Sequence, residues 1–176
     1  QIRVPRATST PQWLPGSGPG REGPADTGWV HLNGGVQTIA SSSAPNVTGR
    51  LAVDNDLRTW WMPVEGDPAP TLTSRLYAPA SVHAVRIAWR DIGLDTNRGV
   101  RPGPYRYRVE LETTAGTWQT ILDRTASNED LLVDYREITP AVGRRARLVV
   151  TGWPKGITPG VAEFTVFGTT EPASRR

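Results

Sequence analysis

The chain has 176 residues, including 18 glycines, 16 prolines and seven tryptophans, and it contains no cysteine. The length suits one domain, and a helical bundle could not accommodate so many helix-breaking residues. Without cysteine the chain has no disulfide, no thiolate nucleophile and no cysteine-bound metal. The net charge of +3 comes from arginines spread mostly singly among acidic residues, so we expect no nucleic-acid partner. No apolar run approaches the length of about eighteen residues that a membrane span requires.

The first 27 residues are rich in proline and glycine and show neither helical nor strand periodicity. We expect them to form an arm or linker before a folded domain of residues 28–170, with a short tail at 171–176. Trp13 and Leu14 are unusual in a linker. They leave two interpretations open: a simple connection, or an arm that docks on the core or on a neighbouring domain.

From Gly28 onward, short segments of alternating apolar and polar residues are separated by turns rich in glycine and proline. This period of two predicts an all-β, antiparallel β-sandwich of the jelly-roll kind. Helix is expected for a turn or two only, near Leu51–Val53 and near Ala126–Leu131. Trp89 and Trp118 fall at strand positions that predict burial in the core. The predicted strand segments are residues 29–34, 36–43, 71–77, 81–89, 105–113, 117–123, 145–153 and 162–168.

One loop offers oxygen atoms at close spacing. In RLAVDNDLRTWWMP, residues 50–63, Asp54 and Asp56 flank Asn55, and Thr59 follows three residues later. Carboxylates, hydroxyls and backbone carbonyls are the ligands that a hard cation such as Ca²⁺ prefers. The loop is not an EF-hand, because it lacks the glycine of the sharp turn and the final bidentate glutamate. On its own the pattern fits either a metal site or an ordinary turn.

Together with the last predicted strand, this loop resembles the discoidin, or coagulation factor 5/8 type C, family. These are galactose-binding-like jelly rolls, many of them carbohydrate-binding modules. The residues that match the family pattern are Ala52, Asp54, Asp56, Thr59, Trp61, Glu163, Val166, Phe167 and Gly168. Asn55 stands where the family most often has glycine, and asparagine tolerates the left-handed backbone of such a turn. The long loop of residues 90–104 is most similar to discoidin-type domains attached to bacterial glycoside hydrolases.

The resemblance implies a structural calcium ion that ties the early loop to the last strand. It implies ligation by the side chains of Asp54 and Glu163, and by Thr59 through its hydroxyl and carbonyl. The further ligands that it implies are the backbone carbonyls of Leu51, Asp56 and Ala162. The alternative is that Asp54 caps a local turn and that Glu163 pairs with an arginine.

Sugar recognition needs an aromatic face for the ring and planar polar groups for its hydroxyls. Trp61 matches the family's buried tryptophan, so Trp60 points the other way, and we expect Trp60 and Trp153 to be platform candidates. In related modules the loop after the RIAW strand supplies polar contacts. The residues that it offers here are Arg90, Asp91, Asn97 and Arg98. The alternative is that both tryptophans pack on loops or on an adjoining domain.

We therefore expect a secreted bacterial carbohydrate-binding module without catalytic activity, holding a structural calcium ion and belonging to a polysaccharide-degrading glycoside hydrolase. Its expected partners are an oligo- or polysaccharide and the catalytic domain of that enzyme. The alternative is an accessory β-sandwich that packs on a catalytic domain or subunit and binds no sugar itself. An enzyme is disfavoured, because nothing in the sequence marks a pair of catalytic carboxylates. The sequence also contains no Gly-x-Ser-x-Gly nucleophile elbow and no phosphate-binding glycine loop. Recognition of protein or phospholipid head groups would need exposed apolar side chains at loop tips, where only Trp60 and Trp153 qualify.

Overall fold

The computed structural model of the protein describes residues 28–170. The arm predicted for residues 1–27, with Trp13 and Leu14, and the tail predicted for residues 171–176 lie outside the described residues. Over residues 28–170, no helix combines the length and the hydrophobicity needed to cross a membrane. This part of the chain consists mainly of strands, as the sequence pattern predicts.

Seven strands and two short 3₁₀ helices form between residues 28 and 170. The strands are β1 (Val30–His31), β2 (Thr38–Ala40), β3 (Thr71–Ile92), β4 (Arg106–Glu112), β5 (Trp118–Asp123), β6 (Val133–Gly152) and β7 (Thr158–Thr170). The 3₁₀ helices are η1 (Gly49–Ala52) and η2 (Thr96–Arg98). The strands pair in the order β1-β7-β3-β6-β4-β5, with β2 also paired to β3, and each of these pairings is antiparallel.

Strands β3 and β6 are long because each runs through both layers of a sandwich. Arg75 pairs with Arg145, but the next pair in register joins Ala80 to Gly143. The extra β3 residues between these pairs turn the strand from one layer into the other. One layer contains β2, β4 and β5, together with β3 up to Arg75 and β6 from Arg145 onward. The other layer contains β1 and β7, together with β3 from Ala80 onward and β6 up to Gly143. The predicted antiparallel β-sandwich is thus confirmed.

The alternation along the strands fills the space between the layers. Leu72 and Leu76 of β3 point into the core and are buried, as the sequence pattern predicts. Trp61 is completely buried in the same cluster. Trp89 also lies there as predicted, with its ring stacked on Tyr105 at 4.3 Å between centroids. Through Trp61 and Trp89 the core anchors the two loops that were predicted to carry the sites.

Trp118 is not a core residue, so the prediction for it is wrong. It lies in β5 directly opposite Glu112 of β4, on the outer face of the sheet, and it is half-buried. The Arg147 guanidinium carbon lies 4.1 Å from the centroid of the Trp118 ring. A six-residue edge strand does not itself reveal which of its faces is buried. Its register with β4 decides that, and the register depends on residues outside the strand.

Of the two predicted helical positions, only one is helical. Helix η1 at Gly49–Ala52 overlaps the predicted Leu51–Val53. The prediction for Ala126–Leu131 is wrong, because these residues form a turn followed by irregular chain. The Ser127 hydroxyl accepts a hydrogen bond from the Glu129 N–H at 3.3 Å. Such local contacts between side chain and backbone compete with helix formation.

Two positions of the motif that carries the resemblance have a direct physical reason. At Gly168 in β7, an added Cβ would overlap the backbone oxygen of Ser81 in β3, so only glycine allows the two strands to approach this closely. Asn55 adopts a φ of 62°, which is the left-handed conformation expected for it. Backbone geometry therefore accounts for the residue type at both positions.

Candidate functional site

The predicted metal-binding loop forms a cluster of oxygen atoms around the hydroxyl of Thr59. Its Oγ1 lies 2.8 Å from Asp54 Oδ2, 2.9 Å from the Asp56 carbonyl oxygen and 3.4 Å from the Leu51 carbonyl oxygen. A hydroxyl has one proton and can donate it to only one of these acceptors. The loop therefore gathers more acceptors than donors, which is the arrangement that a hard cation with oxygen ligands requires.

Glu163 of strand β7 contacts the same loop. Its side chain is buried, and Oε2 accepts a hydrogen bond from the Asn55 N–H at 3.0 Å. The other oxygen, Oε1, is buried and has no hydrogen-bond partner within residues 28–170. Burial, with a smaller contribution from the charge of Asp54, raises the pKa of Glu163 to about 7. A buried carboxylate with an unpaired oxygen is costly unless a proton or a cation neutralises it.

The backbone of β7 is irregular beside Glu163. Consecutive β3 residues pair with Glu163 and with Val161, so Ala162 has no partner in β3. On the other side of the strand, the N–H and carbonyl of Trp61 exchange hydrogen bonds of 2.9 Å with Val161. The bulge leaves Ala162 out of the regular ladder, and the bridge to Trp61 holds the early loop against the last strand.

Side-chain carboxylates alone would not hold a metal ion here. Within the described part of the chain, no three Asp, Glu or His side chains converge on one site. Asp56 turns away and pairs with Arg58 at 2.8 Å, and the hydrogen bonds from Arg58 lower its pKa to about 2. Its carbonyl nevertheless faces the Thr59 hydroxyl. The residues present therefore fit a calcium ion bound by two carboxylates, a hydroxyl and backbone carbonyls.

The local turn cap by Asp54, which was one part of the alternative to metal binding, is also seen. Asp54 Oδ1 accepts a hydrogen bond from the Asp56 N–H at 3.0 Å, which is a local turn cap. The other part is not seen, because the bonded contact of the Glu163 carboxylate is with the Asn55 N–H and not with an arginine of the described residues. A turn cap is compatible with cation binding, since a carboxylate has about four acceptor sites.

Trp60 and Arg90, both expected to contact a sugar, contact one another. The Arg90 guanidinium carbon lies 4.0 Å from the centroid of the Trp60 ring, which is a cation–π contact. Trp60 is half-buried, and its Nε1 has no hydrogen-bond partner among residues 28–170. One face of the ring that was expected to receive a sugar is thus covered by a residue that was expected to contact the same sugar.

The other polar candidates among residues 90–104 have local contacts, and the first of them lies in β3 because this strand continues to Ile92. Asp91 accepts a hydrogen bond of 2.5 Å from the hydroxyl of Tyr105. Asn97 and Arg98 lie in η2, a helix that the sequence pattern does not predict, and Asp95 caps this helix by accepting from both of their N–H groups. Asn97 and Arg98 are exposed, and neither lines the cleft around Trp153.

A cleft of about 240 Å³ opens where the loop after Trp61 meets the turn between β6 and β7. Trp153 forms one wall and is half-buried, because it also packs against the core. Gly156 in the same turn has a φ of 83°, and an added Cβ there would lie 3.1 Å from the side chain of Val100. The 90–104 loop therefore packs tightly against this turn. Other polar residues that line the cleft are Glu65, Asp67 and Thr158.

Sequence reasoning missed these three polar residues as site candidates. Asp67 accepts hydrogen bonds of 2.7 and 2.5 Å from the hydroxyls of Ser41 and Ser42. Burial alone would raise the pKa of Asp67, but these hydrogen bonds hold that pKa below its ordinary value. The Asp67 carboxylate therefore stays charged. The available signal was the PVEGDPAP run at residues 63–70, whose prolines and glycine mark a turn directly after the oxygen-rich loop.

The fold and this loop geometry define a galactose-binding-like β-sandwich. A model of the F5/8 type C domain family matches residues 37–163. The chain belongs to the F5/8 type C domain family. No curated protein sequence matches it significantly.

Solved structures of bacterial carbohydrate-binding modules share the fold. CpGH89CBM32-4 from Clostridium perfringens, in complex with GlcNAc-α-1,4-galactose, is 19% identical, with 84% of this chain and 100% of that chain covered and a TM-score of 0.65. Chitosan-binding module 1 of a chitosanase/glucanase from Paenibacillus sp. IK-5 is also 19% identical, with 79% and 99% covered and a TM-score of 0.65. The family 32 module of NanJ from C. perfringens, in complex with galactose, is 15% identical, with 78% and 99% covered and a TM-score of 0.60.

Proposed function

We propose that the protein is a carbohydrate-binding module whose glycan site is the cleft beside Trp153. The observation that carries this proposal is the position of Trp153, which packs against the core and also lines a cleft that contains Glu65, Asp67 and Thr158. A ring held in place by packing binds the C–H face of a sugar at little entropic cost, and the polar groups bind its hydroxyls. The sugars bound by two structural relatives support the same ligand class.

A calcium ion at the Thr59 cluster would be structural. It would neutralise the negative charge of the Asp54 and Glu163 carboxylates. It would also coordinate the oxygen atoms that the single Thr59 proton cannot satisfy. By holding the early loop against β7 it would also keep Trp61, and the cleft-forming segment that follows it, in place. Because it would bind the folded state alone, it would stabilise the fold by mass action.

The module is proposed to lack catalytic activity of its own. Three carboxylates near the loops are engaged in local structure: Asp91 with Tyr105, Asp95 at the cap of η2, and Glu129 with two arginines at 2.5 and 2.6 Å. A glycosidase needs two carboxyl groups that face one another across a substrate. Attachment to a secreted bacterial glycoside hydrolase is supported by the chitosanase/glucanase from which one structural relative derives.

The test is calorimetric titration of the protein with a panel of neutral oligosaccharides that includes galactose, GlcNAc-α-1,4-galactose and chitotriose. Trp153→Ala should abolish binding of any sugar that the parent binds. Trp118→Ala is the matched control, because Trp118 is a half-buried tryptophan on the outer sheet face, away from the cleft. Binding that survives in Trp153→Ala would refute this site.

An accessory domain that binds no sugar is the second candidate, and one surface favours it. Four apolar side chains are exposed at the start of β6, which has no neighbour beyond β3 in this layer. They are Leu131, Leu132, Val133 and Tyr135, with exposed fractions of 38 to 56%. Contiguous exposed apolar residues often mark a protein contact. If the panel contains no ligand for the parent protein, this candidate replaces the first.

A further inference from the structure

A second cavity, of about 480 Å³, lies at the bend of β3 and has no residue in common with the Trp153 cleft. It forms because β3 residues 76–79 lie opposite a single β6 residue, Arg144, between two pairs in register. The extra chain bulges outward beside the outer face of the sheet and leaves a groove. Residues of β2, β3 and β6 line it, among them Ile39, Arg75, Tyr77 and Arg145.

The groove carries more positive charge than its ion pairs neutralise. Arg144 and Arg145 share one carboxylate, Glu112, with contacts of 3.2 Å from Arg144 Nε and 2.6 Å from Arg145 NH2. Arg75 has no charged partner within residues 28–170. Of these three guanidinium groups, two therefore share one carboxylate and the third has none in the described chain. Arg75 also lies directly opposite Arg145 in register, and like charges in that position repel unless an anion lies between them.

The same groove offers exposed apolar faces. Tyr77 is 65% exposed and Ile39 is 59% exposed. The Tyr77 hydroxyl donates to the Gly34 carbonyl oxygen, and the Tyr77 N–H donates to the Leu32 carbonyl oxygen at 3.0 Å. The hydroxyl and the backbone of Tyr77 are thus both held, while the side chain stays exposed. A fixed aromatic face is suited to a sugar ring, because little side-chain entropy is lost on contact.

We infer that this groove is a second glycan site, specific for a carboxylate-bearing chain such as a polyuronate. Guanidinium groups bind carboxylates through paired hydrogen bonds, and the uronate ring brings a C–H face to Tyr77. The side chains of Gln37 and Thr73 line the groove and can bind ring hydroxyls. An acidic peptide would pair with the arginines but would bring no sugar face to the fixed ring. The inference rests on the proposed glycan-binding function and uses none of the residues of the Trp153 cleft.

The experiment titrates the protein with tetragalacturonate, and with its methyl ester as a neutral probe of the same shape. Arg75→Gln should weaken tetragalacturonate binding at least about tenfold, because a charge-assisted hydrogen bond to an exposed carboxylate is lost. Arg50→Gln is the matched control, since Arg50 is exposed and likewise without a charged partner among the described residues. It should leave the affinity unchanged. The methyl ester should not bind in the groove, and added salt should weaken binding of the charged probe.

Two further measurements separate this inference from the proposed function. Tyr77→Ala should weaken tetragalacturonate binding, with the unfolding temperature recorded to show that the fold persists. Trp153→Ala should remove neutral-sugar binding and leave tetragalacturonate binding intact. If neutral sugars fail to bind while an Arg75-dependent tetragalacturonate affinity remains, the cleft is refuted and the groove stands.

Other outcomes would overturn the groove. Loss of tetragalacturonate binding in Trp153→Ala would place the anion in the cleft. Binding of polyglutamate, but not of tetragalacturonate, with the same dependence on Arg75 would make the surface a peptide site. No affinity for tetragalacturonate in the parent, or equal affinity for its methyl ester, would also refute the inference.

Discussion

Replacing Glu163 by glutamine should stabilise the calcium-free protein at pH 8 and remove its response to calcium. The Oε1 atom of Glu163 is buried without a hydrogen-bond partner within residues 28–170, so the fold opposes ionisation of this side chain. Glutamine has the same shape and keeps an oxygen for the Asn55 N–H. It does not carry the charge whose burial is costly.

The size of the effect follows from the pKa of Glu163. In the unfolded chain the group ionises near its ordinary value of 4.5, whereas in the folded chain it ionises at about 7. Below pH 4.5 it is neutral in both states; between pH 4.5 and 7 stability falls as the pH rises, and above pH 7 the loss is complete. Since each tenfold difference in proton affinity is worth about 1.4 kcal/mol, the full loss is about 3 kcal/mol. For a domain of this size that is roughly 6–12 °C in unfolding temperature.

Differential scanning calorimetry at pH 5 and pH 8, in EDTA and in calcium, measures these differences. In EDTA the parent should unfold at a lower temperature at pH 8 than at pH 5, and calcium at about 100 times its Kd should add about 2.7 kcal/mol at pH 8. Glu163→Gln should unfold above the parent in EDTA at pH 8 and should not respond to calcium. Glu65→Gln, at an exposed carboxylate outside the oxygen cluster, should behave like the parent.

Two results would contradict this reasoning. If Glu163→Gln unfolds below the parent in EDTA at pH 8, the buried carboxylate stabilises the metal-free fold, and the cost inferred from its unpaired oxygen is wrong. If the variant keeps the full calcium response, Glu163 is not a ligand. A parent protein that does not respond to calcium at either pH would refute the calcium proposal itself.

Two further substitutions test the packing. Trp61→Ala should cost about 3–5 kcal/mol in urea unfolding, because the ring is completely buried in the core; Trp118→Ala, at the half-buried outer position, should cost less than half as much, and equal costs would contradict the assignment of the core. Gly168→Ala should lower the free energy of unfolding by about 2 kcal/mol or more, since the added Cβ overlaps the Ser81 backbone oxygen. The same urea titration measures this, and a neutral result would show that β3 and β7 can move apart without loss.

The sandwich could be predicted from the sequence because the alternation of apolar and polar residues is a local pattern. Within one strand it indicates which face is buried. The β3 pattern around Leu72 and Leu76 is an example. It also predicted which residues approach one another around Thr59, through the resemblance of two short motifs to a known family. Spacing alone had left the loop open as an ordinary turn. No local pattern shows that Asn55 would contact Glu163, over a hundred positions later in the chain.

The features that sequence reasoning did not predict depend on distant neighbours. The face of Trp118 that is exposed depends on the register of β5 with β4, and the ring is then covered by Arg147 from β6. One face of Trp60 is covered by Arg90 from strand β3. The charged groove arises from a break in register between β3 and β6, and nothing in the alternation of either strand marks that break.

Strand β7 spans the sandwich from the cleft to the place where the described chain ends. Thr158 and Pro159 line the cleft, whereas Gly168, near the other end of the strand, pairs with Val30. At about 3.3 Å per residue, roughly 30 Å of strand separates the cleft from the point where the polypeptide enters and leaves the domain. Residues 28 and 170, where the described chain begins and ends, therefore lie on the side of the domain away from the cleft. If the cleft binds a glycan as proposed, the ligand would approach a surface that these two chain ends leave free.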